Sequence, residues 1–116
     1  MQQAQPFSTQ TYSMLIDGRL VTTPEHDDVI NPATGQPFAA CPRGTKAHVD
    51  EAVAAAAKAY RTWRKDEGFR RQKLQECAAA IQARVGDLAV LLSQEQGKPQ
   101  TAAQMEVFGA SMWFSV

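Results

Sequence analysis

Thr45–Trp63, TKAHVDEAVAAAAKAYRTW, is the stretch that decides the fold. Val49, Ala52, Val53, Ala56, Tyr60 and Trp63 recur at spacings of three and four, the period that gathers side chains on one face of an α-helix. Thr45 follows Pro42 and Gly44 and suits an N-cap, because its hydroxyl accepts from an amide of the first turn. The spacing predicts an amphipathic helix with Val49, Val53, Tyr60 and Trp63 turned inward. Its alanines allow close approach to a neighbouring layer.

Upstream of this helix the pattern is extended. MLIDGRLV, residues 14–21, has two short apolar runs around Asp17-Gly18, a dipeptide that accepts the positive φ angles of a type I′ turn, so it predicts a β-hairpin. After the polar link TTPEHDD, the stretch VINPATGQPFAAC predicts a second hairpin with its prolines at turns or edges. Downstream, Leu74, Cys77, Ala78, Ile81, Val85, Leu88 and Leu92 form a second helical stripe, with a kink or restart at Gly86 and Asp87. Gly97 ends it and Pro99 opens a third helix carrying Met105, Phe108, Met112 and Trp113. That helix is still apolar at MWFSV, without a cap or a basic last turn, so the chain reads as interrupted. Residues 1–13 read as a flexible arm.

Composition excludes several classes. The 116 residues carry 12 Lys+Arg against 12 Asp+Glu, and this balance lacks the electrostatic footprint of a nucleic-acid or anionic-membrane binder. A basic run from Lys58 to Lys73 is interleaved with Tyr60, Trp63 and Phe69, but Asp66 and Glu67 interrupt it and Tyr60 and Trp63 belong to the apolar stripe. No apolar run reaches the roughly 20 residues of a membrane span, and the N-terminus has no signal-peptide pattern, so a cytoplasmic protein is expected. Cys41 and Cys77 are then expected as buried, reduced thiols.

Catalytic constellations are not legible. The seven glycines are scattered, so no GxGxxG dinucleotide loop can be drawn. Gly97-Lys98 lacks the rest of a P-loop, because Pro99 stands where Ser or Thr would hold magnesium and Leu92 where the first glycine would be. His26 and His48 lack partners at zinc spacing, and His48 reads as a solvated side chain. The pairs Asp27/Asp28, Asp50/Glu51 and Asp66/Glu67 point to different sides of their elements and read as surface. Cys41 has Arg43 nearby but no histidine close in sequence to act as its base. No catalytic, cofactor-binding or metal-ligating residue is assigned.

The order of motifs carries more than any one of them. IDG, INPATG, EAVAAAAKAYRTW, Arg70 with Leu74, IQAR at Ile81–Arg84, LAVLL at Leu88–Leu92 and EQGKP at Glu95–Pro99 together resemble the beginning of NAD(P)-dependent aldehyde dehydrogenases, over Met14–Phe114. The resemblance implies an α/β fold: the N-terminal portion, residues 14–116, of a Rossmann-type cofactor-binding domain, with two β-hairpins, about three α-helices and an incomplete sheet. It also implies oxidation of an aldehyde to a carboxylic acid with NAD or NADP. The nucleophilic cysteine, general base and dinucleotide loop lie beyond the matched stretch, and neither Cys41 nor Cys77 matches the nucleophile's motif. In some members a monovalent cation sits near the NPATG strand and the helix after GKP, which would implicate the Ile30 carbonyl and Glu106. The chain alone is therefore expected to bind no cofactor, to be inactive, and to self-associate through its apolar helices. The alternatives are an autonomous interaction module or a non-functional truncated product.

Overall fold

A computed structural model describes residues 12–115, so the expected arm falls outside the described residues up to residue 11. Tyr12 and Ser13, which were counted with that arm, are half-buried. The chain runs through β1 (Met14–Ile16), β2 (Arg19–Val21), β3 (His26–Asn31) and β4 (Gln36–Pro42). It continues into α1 (Lys46–Trp63), α2 (Glu67–Gln82), α3 (Val85–Gln96) and α4 (Gln100–Ser115). The strands form two separate antiparallel pairs, and no parallel pairing occurs among the described residues. The fold is α/β, with two small antiparallel sheets and four helices.

The first hairpin follows from its turn. Asp17 and Gly18 both have positive φ, 50° and 74°, as a two-residue type I′ turn requires, and Ile16 pairs directly with Arg19. In the second hairpin, Val29 pairs with Ala39 and Ile30 with Pro37, leaving Phe38 as the extra residue of a β-bulge. Successive strand residues normally face opposite sides. The bulge lets Phe38 and Ala39 both be half-buried and line one cavity.

Helix α1 closes its N-terminus with a capping box in which histidine takes the usual place of glutamate. The Thr45 hydroxyl accepts from the His48 amide at 3.4 Å, and the Thr45 amide donates to His48 Nδ1 at 3.1 Å. His48 is thus a capping residue, not simply a solvated one. The inward stripe predicted for α1 is corrected as well. Val49, Val53 and Tyr60 are exposed, Val53 at 62%, whereas His48, Ala52, Ala55 and Trp63 are half-buried. The reason is the partner: α1 packs on the small first hairpin, whose only buried residue is Ile16, so its alanine seam is covered and its valine stripe is not.

The second stripe forms two helices, giving four in all where about three were expected. The Ala83 and Arg84 amides close on Ala79 and Ile81 carbonyls at 3.0 Å each, ending α2. The Leu88 amide then bonds the Arg84 carbonyl at 3.0 Å, starting α3 just before Gly86. Helix α4 packs on both α2 and α3. The core between them is made of small side chains: Ala78 from α2, Ala89 from α3, Ala103 and Ser111 from α4. The large residues Met105, Phe108, Met112 and Trp113 are exposed, Trp113 at 84%. Close helix approach needs small residues at the crossing, and here the small residues occupy it.

Candidate functional site

The two motifs that carry least information alone meet in space. Asn31 folds the NPATG segment by accepting from the Ala33 amide on its side chain at 2.9 Å, and from the Thr34 and Gly35 amides on its carbonyl at 3.2 and 2.8 Å. This turn presents Pro32 to Gly97. Gly97 is the left-handed C-cap of α3, φ 70°, with its amide bonded to the Ser93 carbonyl at 2.8 Å. A Cβ at Gly97 would sit 2.9 Å from Pro32 Cγ, so glycine is required here both by conformation and by contact. The corner is fastened by Ser93 Oγ donating to Gln100 Oε1 at 3.0 Å and by an ion pair of Lys98 with Glu106.

The same corner bears on cofactor chemistry. A dinucleotide phosphate needs open backbone at a helix N-terminus. The Cβ direction of Gly97 meets the Pro32 ring and that of Gly44 makes an ordinary contact with Met14 Sδ at 3.5 Å, whereas that of Gly86, in the first turn of α3, meets nothing within 4 Å. Glu106, implicated by the resemblance in cation binding, has its carboxylate on the Lys98 ammonium. Among the described residues, no three His, Cys, Asp or Glu side chains group as a metal site.

Both cysteines are free and exposed, which corrects the expectation of buried thiols. Cys41 lies on β4 of a two-stranded sheet, and Cys77 lies on α2 next to the buried Ala78. A small cavity of about 100 Å³ brings Cys41 together with Tyr12, Val29, Phe38, Leu91 and Glu95. Burial pushes the Tyr12 hydroxyl above its ordinary range, with Cys41 and Glu95 adding to the effect. No imidazole lines the cavity, so the thiol lacks the base of a Cys–His pair there.

Four side chains of the basic stretch make contacts within the chain. Arg64 stacks over Tyr60, Lys73 lies over Phe69 and pairs with Glu76 at 2.8 Å, Arg71 pairs with Glu67 at 3.5 Å, and Arg70 donates to the Trp63 carbonyl at 2.9 Å. Trp63 and Phe69 meet edge to face at 5.9 Å across the bend between α1 and α2. That bend forms an open groove of about 720 Å³ whose aromatic floor is Tyr60, Trp63 and Phe69. Among the described residues, no helix is long and apolar enough to cross a membrane.

The sequence locates the two hairpins, the start of α1 and the boundary between α3 and α4, but not the start of α2, the Pro32–Gly97 contact or the role of His48. The Thr-x-x-His spacing, matching the Ser/Thr-x-x-Glu capping pattern, was the signal available for His48.

Comparison with known proteins agrees with this arrangement. Residues 21–116 match the sequence profile of the aldehyde dehydrogenase family. A probable aldehyde dehydrogenase of a Pseudomonas species is 41% identical over 104 residues, covering 89% of this chain and 21% of that protein. The crystal structure of an NAD-dependent aldehyde dehydrogenase from Sinorhizobium meliloti superposes with a TM-score of 0.84 at 30% identity, over 96% of this chain and 24% of that one. Lactaldehyde dehydrogenase from Escherichia coli gives 0.86 at 30% identity, over 90% and 23%. The chain spans about a fifth of the length of the curated relatives it matches.

Proposed function

The chain belongs to the aldehyde dehydrogenase family, and from that premise we propose that it serves as the opening portion of an oxidoreductase. That enzyme oxidises an aldehyde to a carboxylic acid with NAD or NADP, in the cytoplasm. Residues 14–116 are the outer hairpins and first helices of the cofactor-binding domain. The observation that carries the reading is the family match over 21–116, with its two short motifs folded against each other at Pro32 and Gly97. In this reading the segment supplies architecture: the corner sets the direction in which α4 leaves α3. The reacting groups and the dinucleotide loop come from elsewhere in the family fold, so the 116 residues alone bind no cofactor and turn over no aldehyde.

The test incubates the purified chain with NAD or NADP and a panel of aldehydes while following reduced-nicotinamide absorbance, with calorimetry for cofactor binding. No turnover and no micromolar affinity are expected. Turnover that survives repurification and disappears in Cys41→Ser or Cys77→Ser would overturn the architectural role. A second arm co-expresses the chain with the complementary portion of the Pseudomonas relative. Aldehyde oxidation that requires both polypeptides is the expected outcome.

A further inference from the structure

We draw no further inference here: the strongest candidate, the open groove at the bend between α1 and α2 floored by Tyr60, Trp63 and Phe69, carries nothing because the structure does not show what covers it.

Discussion

Helices α1 and α4 are of similar length, 18 and 16 residues, and both combine small residues with a stripe of large apolar ones. They end in different environments. Helix α4 buries Ala103 and Ser111 completely between α2 and α3, whereas α1 buries no residue. In both, the most covered positions include small residues of the seam, while most large side chains, Trp63 and Val107 apart, lie outward. Helix packing in this chain is thus governed by how closely backbones can approach. A methyl-sized side chain contributes little transfer free energy, since burial is worth roughly 25 cal/mol per Å² of apolar surface. The stability of the α2–α3–α4 cluster therefore depends on fit, and that of the α1 region on caps and surface pairs.

The strongest challenge to this contrast is to enlarge the α4 seam. Ala103 is fully buried, so Ala103→Leu is expected to destabilise the folded chain by about 1–3 kcal/mol through overpacking. Ala54 on α1 is exposed, and Ala54→Leu is expected to change stability by less than about 0.5 kcal/mol. Urea unfolding of both variants gives the comparison directly, and equal effects would remove the distinction between the two helices.

Next in size is the corner that fixes the start of α4. Gly97→Ala forces a side chain into the left-handed region, costing about 1–2 kcal/mol, and drives its Cβ against the Pro32 ring. Pro32→Ala should relieve the contact but not the backbone strain. A double-mutant cycle is therefore expected to show coupling between the two sites. Additive effects would mean that the two motifs are neighbours without being fastened to each other.

Local chemistry accounts for what was legible in the sequence. Asp17-Gly18, Thr45, Gly97 and Pro99 act through their own backbone preferences, so the first hairpin, the start of α1 and the boundary between α3 and α4 could be read directly. The buried faces could not. Periodicity identifies which side of a helix is apolar, but Val53 and Met105 show that the apolar side is covered only where a partner of sufficient area exists. Cys41 and Cys77 are exposed although free cysteines usually pack inside, because nothing in the local sequence fixes how much of each is covered. Pro32 meeting Gly97 is a contact between residues 65 apart, which no local signal encodes.

A smaller effect separates cap from core. Thr45→Ala removes the acceptor for the His48 amide and is expected to cost about 1 kcal/mol, seen as faster amide exchange confined to the first turns of α1. Exchange that also accelerates across α4 would show the two halves unfolding together. The outward stripe gives a smaller stability change still. Met105→Glu and Trp113→Glu should each alter stability by less than about 0.5 kcal/mol while lowering hydrophobic-dye binding and the apparent mass on gel filtration. Unchanged dye binding and mass would show that this face does not drive self-association.

The smallest expected effect tests whether the region leading into α1 is held by exposed polar contacts. Arg43 donates from Nε to Asp27 Oδ1 at 3.0 Å and also reaches Glu25 at 3.4 Å, joining the two ends of the second hairpin just before Thr45. The hydrogen bond from Arg43, helped by its positive charge, holds the Asp27 carboxyl below the usual carboxylate range. A carboxylate whose pKa is lower in the folded than in the unfolded chain adds stability above the unfolded value of about 3.9. That contribution fades as pH falls through the lower folded value. Asp27 is expected to titrate below about 3.9 by carbon-detected NMR, and Arg43→Gln to return it to that region. Both groups are exposed, so salt should shrink the shift, the screening length being roughly 10 Å at 0.1 M and 3 Å at 1 M. Amide exchange in α4 should not respond to the same change of salt. If Asp27 titrates normally in the unmodified chain, the hairpin leading into α1 is held by its backbone ladder alone, and the polar half of the contrast with α4 fails.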